Sequence, residues 1–408
     1  LDLKTLVNIY LKIKHVIFVL LLLPLFWFGI KGGWNQVTSD FPNYYVSAKL
    51  LLHGQLNDAY QVEKFNQHIQ KYNSNAQGLF VMYPPTTSLI MLPLTLFDML
   101  NAKRIWIIIS LIASAGISYL LSKICLISVI DAANILLICG FNMYNDIMLG
   151  QVYLVMLFVV LLGWHLLMQQ KNIISGISLG IVAAIKFLPL FYLPFLWYKK
   201  YFKICFILIF VCALFHVICF WLVGTHVYQN FLEVFTANYL DGKVANEIPN
   251  SLQYQSFEVF SNQLSPKFSS SEGTITLIKV SWKVFWTLLA ALLSIKYLKS
   301  TSFLFVTIAS TTLLLLLFEN GSATYHLLFA LLTVITFLKE NKSKTYFVFL
   351  MISLAAMGFL PTLVNVLSLD NFMISFTRLW CLCLYSLCFF IGLLLQGNTN
   401  KQQIRFYS

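Results

Sequence analysis

A carboxylate at the start of a helix, beside polar aromatic side chains, can take a proton from a hydroxyl. Asp40 has that setting in the run Ser39-Asp40-Phe41-Pro42-Asn43-Tyr44-Tyr45-Val46-Ser47-Ala48-Lys49. Pro42 suits a first helical turn. Tyr44, Tyr45, Ala48, Leu51 and Leu52 then share an apolar face, the pattern of an interfacial amphipathic helix. Asp40 can equally serve as that helix's cap. Among the cations, arginine is rare: Arg104, Arg378 and Arg405 are all there are. Arg378 falls in the outer third of an apolar run, where a charge is expensive unless paired or functional. Asp370 or a lipid headgroup would pair it; an anionic substrate would give it a function. Asp131 is the one acid deep inside an apolar run, with Asn134 a turn away. His216 and His226 bracket another run without metal-ligand spacing and read as structural.

The elements that must position these groups are apolar. Of 408 residues 59% are hydrophobic and 10% charged, against about 25% charged in soluble domains. That excludes an ordinary soluble enzyme and a disordered chain. Long apolar runs at 15–30, 152–168, 204–224, 303–318 and 345–366 approach the ~20 residues of a membrane-crossing helix. The fold class is therefore an all-α polytopic membrane protein, read as a single integral membrane domain over 1–408. All eight cysteines lie inside apolar runs and read as small buried hydrophobes rather than a disulfide framework. The first run is followed by Lys31-Gly32-Gly33-Trp34, without a small-x-small cleavage site, and reads as an uncleaved helix.

Lysine and arginine favour cytoplasmic loops, which orients the chain. The alternation works with 12 spans, at 15–30, 104–121, 124–141, 152–169, 173–187, 188–199, 202–224, 276–298, 301–318, 325–338, 345–366 and 373–395. Both termini are then cytoplasmic. Two long extracytoplasmic loops follow, 31–103 with interfacial and re-entrant helices, and 225–275. Segment 81–99, with Pro84, Pro85 and Pro93, reads as a broken element rather than a span. On this scheme 15 of the 27 basic residues and two of the 15 acids face inside, which suits attraction to anionic headgroups of the cell membrane. No soluble segment carries an aromatic-interleaved basic patch, so nucleic acid is not an expected partner.

Polar residues gather at the outer surface, in 31–103, 225–275 and the turns at 142–151, 185–189, 319–326 and 368–371. A transporter would concentrate ionisable groups near the midplane of repeated, broken helices, and no self-similar halves are visible. The distribution favours an enzyme acting on a lipid-linked or extracytoplasmic substrate. A transporter or flippase, and a polymerase or ligase for lipid-linked glycans, are the competing classes. The absence of arginine from 225–275 argues against the polymerase or ligase.

The order of features carries a resemblance. Asp40 follows the first run, then come paired tyrosines, a His53-Gly54-Gln55-x-x-Asp58-x-Tyr60 step, and Tyr83-Pro84-Pro85 entering an apolar helix. Downstream stand Gly150-Gln151 after Asn145-Asp146, then Gly176-x-x-x-Gly180 before Lys186 and Pro189, Asn250-Ser251-Leu252, and Tyr325-His326 opening an apolar helix. The chain resembles membrane glycosyltransferases of the GT-C superfamily, most nearly the polyprenyl-phosphate-mannose-dependent glycosyltransferase family 87, over roughly 12–395. In the family pattern proline usually follows the lysine directly; here Phe187 and Leu188 intervene.

The resemblance implies an inverting transfer of a sugar, commonly mannose, from a polyprenyl-phosphate carrier to an acceptor hydroxyl on the extracytoplasmic face. Asp40 matches the family's catalytic aspartate. Lys186 and His326 match positions that would hold the departing phosphate, with Arg378 beside them as a further candidate. Tyr44, Tyr83 and Gln151 are candidates for binding sugar hydroxyls or the carrier. The bland alternatives are snorkelling for Lys186, a hydrogen-bonded helix start for His326, and interface anchoring for the tyrosines. The family implies no metal cofactor, and no Asp-x-Asp flanks Asp40. Expected partners are the lipid-linked sugar donor, membrane lipids and a glycolipid or glycan acceptor.

Overall fold

The structure, a computed structural model, describes residues 3–37, 40–74, 76–80, 83–239, 255–268, 272–319, 323–340, 343–368 and 371–395. Asn250-Ser251-Leu252, Asp370 and Arg405 lie outside the described residues. All regular structure among the described residues is helical. Among the described residues six helices are long and apolar enough to cross a membrane: Lys12–Trp34, Met99–Cys125, Phe202–Val223, Gly273–Tyr297, Lys344–Val366 and Thr377–Leu394. A seventh span is counted if Val129–Leu137 and Phe141–Leu149, bent by 79° at their break, are taken as one.

Twelve spans are thus not reached, for a reason of length. Tyr153–Met168 and Phe303–Phe318 have 16 residues each and Asn172–Ile185 has 14. At 1.5 Å per residue these reach about 21–24 Å, short of a hydrocarbon core of about 30 Å. The expected span at 124–141 is instead the broken one, with Gly140 at φ +54° in the bend.

The chain divides into two compact units. One comprises Leu1–Leu22, Leu121–Met143 and Ala245–Ser408; the other Leu23–Leu120 and Tyr144–Val244. In the first, Phe257, Val259, Phe260, Phe376 and Leu379 form a core cluster, with Phe257 stacked on Trp282 at 3.9 Å. Gly358 sits so close to the Gly140 bend that a Cβ there would lie 2.5 Å from the Cys139 carbonyl oxygen. Asp131 is not the deeply buried acid expected. It is partly exposed in the first turn of its helix, 3.2 Å from Lys14 Nζ and hydrogen-bonded by Ser128. The charge is tolerated because a cation and a hydroxyl meet it.

In the second unit the helix Asp40–Leu52 forms as Pro42 and the apolar spacing require, but it is no interfacial helix. Every side chain from Phe41 to Ala48 is buried. Phe41, Val46 and Leu50 add apolar surface on the faces that Tyr44, Tyr45, Ala48 and Leu51 leave, so the whole circumference seeks cover. Its cover comes from the 3₁₀ turn Leu56–Tyr60, the helix Val62–Gln70, and the short pair Thr86–Met91 and Leu92–Leu96. Polar tips fasten the wrap: Lys49 Nζ donates to the Thr95 carbonyl at 2.8 Å, Tyr45 to that of Phe97 at 2.7 Å, and Asn43 Oδ1 accepts from Leu79 N at 2.9 Å. Segment 83–99 is the short, broken element that its prolines require.

Tyr153–Met168 and Asn172–Ile185 form a helical hairpin, tied by Ser175 Oγ donating to the Gly163 carbonyl at 2.9 Å. The Gly176-x-x-x-Gly180 face then packs on Phe202–Val223. A Cβ on Gly176 would meet Ile207 Cβ at 2.8 Å, and one on Gly180 would meet Val211 Cβ at 2.7 Å. Small residues four apart let two backbones approach, so this pattern is a packing seam.

Candidate functional site

Within the second unit the spacing of the motifs becomes a connected polar centre. Asp40 is the first residue of its helix and keeps part of its surface exposed, as a group that meets a substrate must. Its carboxyl is hydrogen-bonded by the Gln151 side chain and faces the ammonium of Lys103. Burial raises its pKa, the Gln151 bond and Lys103 oppose that, and burial wins, leaving the carboxyl above the ordinary value. Lys103 itself is wholly buried, with Nζ 2.5 Å from the Gln36 carbonyl oxygen. Its neighbour Arg104 donates to the Trp34 carbonyl at 3.2 Å and to Asn35 at 3.0 Å. Together they anchor the strand of chain leading toward Asp40.

Gln151 is held from several sides. Its backbone N–H donates to the Asp146 carbonyl at 2.8 Å, and its carbonyl accepts from Trp106 Nε1 at 2.9 Å. Its Oε1 accepts from the Tyr44 hydroxyl. The Tyr44 and Tyr83 hydroxyls lie 2.8 Å apart. Tyr44 has one proton and gives it to Gln151, so Tyr83 is the donor to Tyr44. Tyr60 in turn donates to the Tyr83 carbonyl at 2.8 Å. Tyr44 and Gln151 are 0% and 1% exposed.

Gly150 explains why glycine precedes that glutamine. Its φ of +75° is a left-handed turn, and a Cβ there would sit 2.9 Å from Phe41 Cβ. Only glycine meets both conditions without strain, and Phe41 is the residue after Asp40. Asp146 holds the same turn from inside. Fully buried, its Oδ1 accepts from Tyr153 N at 3.1 Å, while Oδ2 has no hydrogen-bond partner among the described residues.

Lys186 occupies a break in the backbone. The helix ends at Ile185, Lys186 is extended at φ −144°, ψ 132°, and a 3₁₀ turn begins at Leu188 with Pro189 in its first positions. The two residues between lysine and proline therefore form the break itself. The ammonium donates to the Tyr153 hydroxyl and lies 4.6 Å from the Tyr153 ring centre and 5.6 Å from that of Tyr83. The Thr86 hydroxyl, next after the Tyr83-Pro84-Pro85 step, donates to the Ala184 carbonyl exposed by the break. Asp40, Tyr44, Tyr83, Gln151 and Lys186 are thus brought together in one unit.

His326 and Arg378 belong to the first unit. His326 Nδ1 lies 2.6 Å from Glu319 Oε2, and the imidazole is nearly buried. Arg378 is buried near the start of its helix; its backbone N–H donates to Gln255 Oε1 at 2.7 Å, and the Tyr325 phenol lies within electrostatic reach. Glu319 is the residue sequence reading passed over, although an acid closing one apolar run seven residues before the histidine that opens the next was visible. Tyr153 and Lys103 were also missed; neither stands in a motif, and only the fold brings them to Lys186 and Asp40. His216, expected to be structural, hydrogen-bonds Tyr228 at 3.1 Å and stacks on Phe187.

Apolar helices of membrane length, together with a built polar centre that holds a carboxylate and a lysine, define a helical membrane protein with the parts of a transferase. A family model described as Glycosyltransferase family 87 matches residues 80–389. The chain belongs to that family, which is of the GT-C type and makes it a glycosyltransferase. Tyr83, Gln151, Lys186, His326 and Arg378 fall inside the match; Asp40 and Tyr44 precede it. No curated protein and no solved structure matches the chain.

Proposed function

We propose that the chain transfers a sugar, mannose in the first instance, from a polyprenyl-phosphate carrier to a hydroxyl of a glycolipid or glycan on the extracytoplasmic face of the cell membrane. Asp40 is the general base. The acceptor oxygen attacks the anomeric carbon as its proton passes to the Asp40 carboxylate. The bond from that carbon to the phosphate oxygen breaks on the opposite side, its electron pair leaving with the phosphate, and configuration inverts. One base and an anionic leaving group suffice for this displacement, so the proposal includes no metal cofactor. Lys186 stabilises the phosphate as charge develops on it. Both termini lie on the cytoplasmic side.

The observation that supports the reading is the position of Asp40: partly exposed at a helix start, facing Lys103, and joined through Gln151, Tyr44 and Tyr83 to the neighbourhood of Lys186. A carboxylate that only capped a helix would not need such a network. The test is transfer of radiolabel from polyprenyl-phosphate mannose into membrane lipids, with native protein and Asp40→Asn at matched expression. Native transfer that disappears in the variant is the expected result. Transfer surviving in Asp40→Asn refutes the base, and no native transfer refutes the donor.

A further inference from the structure

Gln151 has two ends, and its surroundings decide which one Asp40 meets. Tyr44 gives its only proton to Oε1, so the end left for Asp40 is the N–H₂ group, a donor. An ionised carboxylate accepts only, and this orientation matches it. The reverse orientation, with Oε1 toward Asp40, would set an acceptor against an acceptor. The Tyr83 hydroxyl lies 2.8 Å from that of Tyr44; with the Tyr44 proton committed to Gln151, the proton between the two phenols has to come from Tyr83, whose backbone is fixed by Tyr60 at 2.8 Å. The two phenol rings also meet edge to face with centres 5.1 Å apart, and Tyr44 is sealed from solvent.

We infer that Tyr44 and Tyr83 are positioning residues: a directional chain, Tyr83 to Tyr44 to Gln151 to Asp40, that fixes the Gln151 amide as a donor and keeps the base in its carboxylate form. This rests on Asp40 being the base, and it takes Tyr44 and Gln151 out of direct sugar contact. The groups facing the chain are consistent with its direction. Lys103, from Met99–Cys125, faces Asp40; Lys186, from the helix break, faces the Tyr83 and Tyr153 rings; Asp146 faces the Tyr153 amide.

The test has one reading that does not depend on activity. Infrared titration of the full chain in detergent, with the Asp40 band assigned by subtracting the Asp40→Asn spectrum, gives the ionisation midpoint of Asp40. Tyr44→Phe keeps the ring and removes the proton that orients the amide. The expected result is a midpoint about one pH unit higher than native, a tenfold change in the ratio of the two forms. Tyr83→Phe, one bond further away, shifts it in the same direction by less. A midpoint unmoved in Tyr44→Phe overturns the inference.

Transfer kinetics with polyprenyl-phosphate mannose and extracted membrane lipids provide the second reading. Tyr44→Phe is expected to move the acid limb of kcat upward by the same unit, with KM for the donor within about twofold of native. A tenfold rise in KM with the limb in place makes Tyr44 a substrate contact and overturns the inference; a uniform loss at every pH makes it merely structural and does the same. Full transfer by Asp40→Asn overturns the base assignment instead, an outcome the infrared midpoint does not share.

Discussion

Alanine at position 150 probes the joint between the Gly150-Gln151 turn and the Asp40 helix. Two costs add there. A side chain at φ +75° is strained by about 1–3 kcal/mol. The new methyl would also stand 2.9 Å from Phe41 Cβ and 3.0 Å from its Cδ2, and forcing room in a packed interior adds about 1–3 kcal/mol. Gly54 separates the two. It has nearly the same φ, +67°, but no atom within 4 Å of its Cβ position, so Gly54→Ala carries the strain alone. The gain from a stiffer unfolded chain is common to both and cancels. Gly150→Ala should therefore be less stable than Gly54→Ala by about 1–3 kcal/mol. All eight cysteines are free and five are buried, so melting in detergent can be followed by a thiol-reactive dye. Yielding at Phe41 also displaces Asp40, and because a misplacement of about 1 Å can cost about 100-fold, sugar transfer should fall at least about tenfold. Equal melting of the two variants, or native transfer by Gly150→Ala, would refute the joint.

In the proposed role Asp40 must be ionised, and burial holds its carboxyl above the ordinary value, so transfer should decline as pH falls through that raised midpoint; a pH–kcat profile flat to pH 4 excludes Asp40. Glu319→Gln removes the charged partner of His326 at 2.6 Å. A charge-assisted bond contributes about 1.5–3 kcal/mol to stability, so the variant should be less stable by about that amount; native melting would show the pair to be idle. Asp146→Asn preserves an acceptor for the Tyr153 amide and should keep native stability, whereas Asp146→Leu, which strands that amide, should lose about 1–3 kcal/mol. Equal melting of the two would show that this bond does not hold the turn.

Much of the centre was legible as order along the chain. Asp40, the Tyr83-Pro84-Pro85 step, Gly150-Gln151 and Lys186 were singled out before the fold joined them, because each pairs a polar group with a local breaker or cap whose geometry is set by near neighbours. What was not legible depended on distance in space. The proton direction through Tyr44 requires Tyr83, 39 residues away, and Gln151, 107 residues away. The partner of Asp131 is Lys14, 117 residues off. The span count failed differently. Hydropathy marks 152–169 and 301–318 as apolar, yet the helices there stop at 16 residues. An apolar run states that a segment avoids water, without stating whether lipid or protein surrounds it. The same ambiguity made the Asp40 helix look interfacial, although Phe41, Val46 and Leu50 already argued for cover on every side.

The hydroxyl of Thr86 on the Ala184 carbonyl limits what can move beside Lys186. That acceptor is freed because the backbone breaks to present Lys186, and leaving it bare in a buried setting costs about 1–3 kcal/mol. The Tyr83-Pro84-Pro85-Thr86 segment closes the gap, so pulling it away would undo the seal beside the lysine it frames. It serves as masonry and not as a door: opening it would bare the Ala184 carbonyl it covers.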